Sequence, residues 1–373
     1  MQQLKPLPYP VYFVNPESQR WSDLLTCHEL PADLESVYER CITGEEIWTA
    51  QTFVYLKQRG LDVRFVTKPV AGQICVIPSD YLNIKQFAFN SYVVGFQTDR
   101  ARPEICEQRV GMNELGVKEA GDHFTPHWHH PLLQPRDRSR GDRVKNLVFK
   151  GMSRNLAQPF HAPEFSQQLK CLGVDFICDS GDPNHPLRAW GDYHQTDVVL
   201  AVRNATLGDL ALKPAVKLTN AWVAGCPAIL GPEPAYSALR RSDLDYIEVR
   251  TVQEVVEALQ RLQDSPKLYA AMVQNGLERA EEFTVDRIAL YWRELLAGPI
   301  AQGYEQWLRQ SSFYKLVGRP LQYVQRSLEH KRQVRIYVYK REHGERLFPT
   351  EQSLAASAVK PEMAVTTGVA PTS

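Results

Sequence analysis

The chain has no net charge: 43 Lys and Arg stand against 43 Asp and Glu. Binding to nucleic acid without sequence preference rests on a basic excess that neutralises phosphates, so a general nucleic-acid coat protein is excluded. No apolar run approaches the roughly 20 residues that span a bilayer, which excludes an integral helical membrane protein. The opening MQQLKPLPYPVYFV lacks a small-residue cleavage site and predicts no signal peptide. The seven cysteines, Cys27, Cys41, Cys75, Cys106, Cys171, Cys178 and Cys226, are odd in number, widely spaced and form no CxxC. A zinc ribbon or a disulfide scaffold needs paired spacings, so reduced, mostly buried thiols in a cytoplasmic protein are expected. There is no Walker GxxxxGK[ST], no GxGxxG after a strand, and no Ser-His-Asp or Cys-His spacing, which weighs against kinase, dehydrogenase and hydrolase chemistry. No internal repeat is present.

What the sequence does have is an alternation of short β-rich runs with helical stretches, the pattern of parallel α/β layers. Val11–Val14, 62–67, 73–78 and 91–97 read as strands, nearly apolar throughout, as strands covered on both faces should be. Thr43-x-x-Glu46 is a capping box that opens a helix ending at Gly60. The polar, aperiodic stretch 134–143 reads as a hinge. A second run follows, with strands at 146–149, 174–178, 197–202, 228–230 and 246–249. Its helices fall at 164–172, at 214–224 and after the caps Thr251-x-x-Glu254 and Ser265-Pro266. The expected divisions are 1–142, 143–300, a basic helical extension over 301–348, and a small-residue, Pro-containing tail over 349–373 that reads as disordered.

The stretch from Lys213 to Gly231 is the most informative. Pro214 fits a first helical turn and Gly225 a position just past the end. Lys213, Lys217 and Asn220 then fall at i, i+4 and i+7, opposite the apolar face of Leu218, Ala221 and Trp222. Two cations at a helix that begins after a strand can hold a phosphate group; a solvated polar face is the competing reading. Arg203 ends an apolar strand, where open α/β sheets present ligand groups, or else forms a surface ion pair. In the cluster 122–130, Pro126 and Pro131 break any helix and strand alternation splits the histidines, so no metal is expected. His127-Trp128 instead reads as leading toward a cleft, with the histidine a candidate proton carrier or a packing residue. Asp99, after the strand 91–97, is a candidate base, or a partner of Arg100 and Arg102; Glu45 and Glu46 at the capped helix start are further candidates.

This stretch resembles the C-terminal domain of GT-B glycosyltransferases, in particular the bacterial family-1 and family-4-like group. The resemblance runs through PxxKLxNAWxAGxPAI, Gly231-Pro-Glu-Pro-Ala-Tyr236, the strand Asp245–Val249 and the ending Arg279-Ala-Glu-Glu-Phe-Thr284. It extends loosely back to Arg143, and in the first half it is architectural only. It implies two Rossmann-like domains facing a cleft, and transfer of a hexose from a nucleotide-sugar, with no cofactor and no metal, to an acceptor such as a polysaccharide or a lipid-linked molecule. Lys217 would meet the donor diphosphate, with Arg154 or Arg203 as a second cation and Lys213 alongside. One departure stands out: many family members carry a glutamate where this chain has Asn220, paired with another at the position of Leu212. An amide still hydrogen-bonds a ribose hydroxyl but lacks the charge that strengthens the bond; Glu233 could substitute in part. A non-catalytic ligand- or partner-binding protein and a sugar-nucleotide epimerase are the alternatives on the same scaffold. The basic, aromatic-rich stretch from about 307 to 346 reads either as a tail returning to the first domain or as a peripheral contact with an anionic membrane surface.

Overall fold

The computed structural model describes residues 2–17, 19–25, 29–86, 88–181 and 186–348; Cys27 and the tail 349–373 lie outside them. Two all-parallel sheets form the frame. The first contains β1 (Val11–Val14), β2 (Val63–Val66), β3 (Ile74–Pro78), β4 (Tyr92–Gln97), β5 (Gln108–Gly111) and β6 (Asp122–Phe124), ordered β2-β1-β3-β4-β5-β6. The middle strands β1, β3 and β4 are buried along their whole length, which is why they stand out as apolar runs. Strands β5 and β6 are short, polar and only partly buried, so the sequence gives no strand signal there. Helix α1, over 44–58, opens with the expected box: Thr43 Oγ1 accepts from the Glu46 amide while the Glu46 carboxylate accepts from Thr43 N at 3.1 Å. A π turn at Ile47–Gln51 interrupts it, and Gly60, at φ +79°, follows its end.

The second sheet has β7 (Asn146–Lys150), β8 (Asp175–Asp179), β9 (Val198–Ala201), β10 (Ala228–Leu230) and β11 (Ile247–Glu248), in the order β11-β10-β9-β7-β8. Helices α2 (Pro163–Cys171), α3 (Val216–Ala224), α4 (Pro234–Leu239), α5 (Val252–Asp264) and α6 (Pro266–Ala280) connect the strands or flank them. Helix α3 starts two residues later than the expected 214. The residue before a proline is disfavoured in the helical region, so Lys213 stays outside the helix and does not share a face with Lys217. Gly225 ends α3 in the left-handed conformation at φ +70°, as a glycine past a helix end does.

The chain then crosses back. In α7 (Val285–Leu295) the fully buried Trp292 meets Phe13 and Phe96 edge-on, and Arg59 bonds Asp286 at 2.5 Å. In helix α8 (Ala301–Leu308) Tyr304 and Trp307 stack on each other and both meet Tyr92 edge-on. The long helix α9 (Arg319–His343) starts on the first domain, where the Tyr323 hydroxyl donates to Asn83 O at 3.0 Å. It ends on the second, where the Leu207 amide donates to Glu345 O and Phe348 packs on Phe160. The extension therefore returns to the first domain and straps the two domains together.

The segment 134–143 is not a free hinge. Arg136 and Arg140 both reach the fully buried Asp197 at 2.8 Å, and the amides of Lys145 and Asn146 donate to the same carboxylate. A run of arginines without periodicity looks like a linker in sequence because its carboxylate partner lies more than 50 residues on. Burial alone would raise the Asp197 carboxyl, but the hydrogen bonds from Arg140, Arg136 and the two amides hold it below the usual range. Replacing Asp197 with Ala strands two arginines and should cost about 3–5 kcal/mol, read as a lower urea midpoint at unchanged slope. Because the carboxyl is depressed in the folded state, this stabilisation is present above the unfolded value near 3.9 and lost as pH falls through the lower folded value. The gap between wild type and Asp197→Ala should accordingly close in acid.

Candidate active site

In a doubly wound sheet, ligands lie beyond the carboxyl ends of the strands where the winding reverses. In the second sheet that point falls between β7 and β9. Five charged side chains converge there. Lys150, the last residue of β7, pairs with Asp179 at the end of β8 at 2.8 Å and donates to Ala189 O at 3.1 Å. Lys217, in the first turn of α3, donates to Lys150 O, with its ammonium 5.3 Å from the Phe149 ring. A side chain at Gly151 would place its Cβ 3.4 Å from the Lys217 ammonium and 3.3 Å from Phe149, so this glycine keeps the space open. Arg203, just past β9, lies 3.1 Å from Glu233 and donates to the Tyr236 hydroxyl at 3.1 Å.

The charges in this pocket are incompletely matched. Glu233 is fully buried, and neither of its oxygens receives an aligned hydrogen bond, the Arg203 contact included. Burial raises its carboxyl against the pull of Arg203 and Lys217. Burial, and then the Arg203 charge, lower the Lys217 ammonium to about 7. Among the described residues no carboxylate lies within ion-pair distance of Lys217. A desolvated cation held by one carbonyl and an aromatic face suits an anionic ligand.

The first domain closes over this edge. Asp99 bonds Lys213 at 2.7 Å across the cleft, and Lys213 also meets Asp209 at 3.5 Å. Asn113 donates to Ala211 O and Lys213 O, each at 2.9 Å. Beside these contacts an apolar pocket opens between the domains, lined by Met112, Phe124 and His127 from one side and Val216, Thr219 and Leu239 from the other. Two of the expected site residues, Asp99 and Lys213, thus hold each other. Burial would raise the Asp99 carboxyl, but Lys213 outweighs it and holds the group ionised below the usual range, which makes it a weak base.

The other expected residues divide. His127 lines the pocket, but its Nε2 accepts from the Trp48 indole at 2.9 Å and its Nδ1 donates to Trp128 O. Both ring nitrogens are engaged, and burial lowers its pKa to about 4, so this ring is a neutral packing group and not a ready proton carrier. Asn220 is buried at the domain seam, where its Oδ1 accepts from the His130 amide at 3.3 Å; it holds the interdomain connection and does not project with Lys217. Glu233, offered as a partial substitute for the family glutamate, is fully buried. Arg154 lies exposed in the turn after β7. Among the described residues no cluster of three or more His, Cys, Asp or Glu side chains is gathered for a metal, and the described cysteines are free thiols. Glu45, at the start of α1, is raised by burial. Sequence reasoning missed Lys150 and Asn113. Lys150 had a signal, a charge closing an apolar strand next to glycine; Asn113 had none, since its partners are backbone carbonyls about 100 residues away.

Residues 155–294 match the family described as Glycosyl transferase-like. No curated protein matches the sequence. Among solved structures, sucrose-phosphate synthase from Thermosynechococcus elongatus aligns at 12% identity over 81% of this chain and 100% of its own, with a TM-score of 0.49. AviGT4, a glycosyltransferase involved in avilamycin A biosynthesis, aligns at 13% identity over 78% and 99%, at 0.48. Anabaena HepE in complex with UDP aligns at 12% over 79% and 99%, at 0.44. Two doubly wound parallel domains thus meet at a cleft, and most of the second one, residues 155–294, is similar to the Glycosyl transferase-like family.

Proposed function

We propose that the protein transfers a hexosyl group from a nucleotide-sugar to an acceptor hydroxyl, with the donor diphosphate resting against Lys217. The observation that carries this reading is the Lys217 ammonium, drawn into the switch point of the second sheet without a carboxylate partner. As the bond between the anomeric carbon and the diphosphate oxygen breaks, negative charge grows on the leaving group. Lys217 and Arg203 are already oriented toward it in a poorly solvated site, where such charges act most strongly. These two cations supply the stabilisation that a divalent ion gives in other transferases, so transfer should persist in a chelator. Arg154, on its exposed turn, can swing onto a phosphate. The acceptor enters through the apolar pocket between the domains, which favours an acceptor with an apolar portion. Its hydroxyl proton passes to a carboxylate of the first domain: Glu45, whose raised pKa suits a base, or Asp99 once a ligand phosphate draws Lys213 away.

The replacement of the family glutamate by Asn220, and its engagement with the linker, favour a second reading in which the scaffold binds a ligand without turning it over. Release of nucleotide from a UDP-, GDP- or ADP-sugar in the presence of acceptor extracts separates the two.

Three outcomes are expected of the binding step. UDP-glucose should raise the melting temperature, since a ligand bound only by the native form stabilises it. Lys217→Met should weaken that binding about ten- to a hundredfold by calorimetry, with no loss of thermal stability in the free protein, because the lost ammonium was poorly solvated. The third outcome concerns pH. Only protonated Lys217 attracts the diphosphate, and its value in the free protein is about 7. Affinity for UDP-glucose should therefore fall as pH rises above 7, by up to about tenfold per unit, and this slope should vanish in Lys217→Met.

A further inference from the structure

Helix α9 packs on the first domain along one face. Arg319, Tyr323 and Ser327 are buried there, Arg326 pairs with Glu107 at 2.6 Å, and His330 Nδ1 accepts from the Glu104 amide. The opposite face points to solvent. Leu321, Val324 and Leu328 are 65%, 49% and 63% exposed, and the turn before the helix adds Phe313 and Leu316 at 75% and 77%. Spacings of three and four residues put Leu321, Val324 and Leu328 in one row. Farther along that row come Lys331, Arg332 and Arg335, all exposed. Between 311 and 335 the sequence has six Lys and Arg (315, 319, 326, 331, 332, 335) against one acid, Glu329. Scattered apolar residues on a surface need no explanation, but a contiguous row of this size does.

We propose that this outer face docks on an anionic lipid bilayer, with the apolar row entering the acyl boundary and Lys331, Arg332 and Arg335 meeting the head-group phosphates. A helix about 37 Å long that presents an apolar row continuous with a basic one is built to lie in the membrane plane. The helix does not cross the bilayer, since no described helix is long and apolar enough to do so. Charge complementarity selects lipid over a second copy of the chain. In a two-fold contact the same patch faces itself. Antiparallel pairing would press the basic end of each helix onto the apolar end of the other and desolvate three cations, and parallel pairing would oppose like charges. Anionic head groups satisfy both halves of the face at once. The inference goes beyond the transferase reading and does not depend on it.

Flotation of the full chain with vesicles tests it. The protein should float with vesicles of phosphatidylglycerol and phosphatidylcholine, stay behind with phosphatidylcholine alone, and be released by salt. Lys331→Ala/Arg332→Ala/Arg335→Ala should lower partitioning on the order of a hundredfold, and Leu321→Ser/Leu328→Ser at least about tenfold. Both variants should keep the wild-type melting temperature, since these side chains are exposed. Failure of the folded full chain to float with anionic vesicles would overturn the proposal. So would equal partitioning of the variants, or a concentration-dependent dimer in light scattering that Leu321→Ser/Leu328→Ser abolishes.

Discussion

A lysine drawn out of water and held, among the described residues, by a carbonyl oxygen and a phenyl face is the feature on which the proposed chemistry of the second domain depends. Lys217 occupies that position because three features of the backbone converge. Pro214 delays the start of α3, Gly151 leaves room beside the ammonium, and β7 ends so that Lys150 O points at it. Desolvation then lowers the affinity of the group for its proton. The result is a site that gains when an anion arrives, as the proposed diphosphate binding requires. Glu233 is the mirror image on the same edge: a buried carboxylate with incomplete hydrogen bonding, near Arg203.

The two domains are tied by more than this edge. Asp99 with Lys213 and Asn113 with the loop before α3 close the cleft, while α7 and α9 return the chain to the first domain. Phe348 reaches the second sheet beside Gly231, 3.3 Å from where a Cβ would stand there.

Much of this was legible in the chain. Apolar runs announced the central strands because strands covered on both faces cannot alternate, and the cap at Thr43 and the glycine at 225 bounded their helices as local chemistry dictates. Lys217, the lysine proposed to meet the diphosphate, emerged from the family resemblance. What was not legible depends on partners distant in sequence. Arg136 and Arg140 looked like hinge residues until Asp197 came into contact, His127 looked like a proton carrier until Trp48 occupied Nε2, and Asn220 looked like a ligand until the His130 amide claimed its oxygen. Strands β5 and β6 carry too few apolar residues to be seen at all, because they lie toward an edge of the sheet.

The most direct test of the central claim is the titration of Lys217 itself, followed by NMR of protein labelled at the lysine side-chain carbons and assigned with Lys217→Met. In the free protein its midpoint should fall near 7, and UDP-glucose should move it upward, because a bound diphosphate favours the charged form. A midpoint near the ordinary lysine value of about 10.4, or one that saturating UDP-glucose leaves in place, would contradict the account.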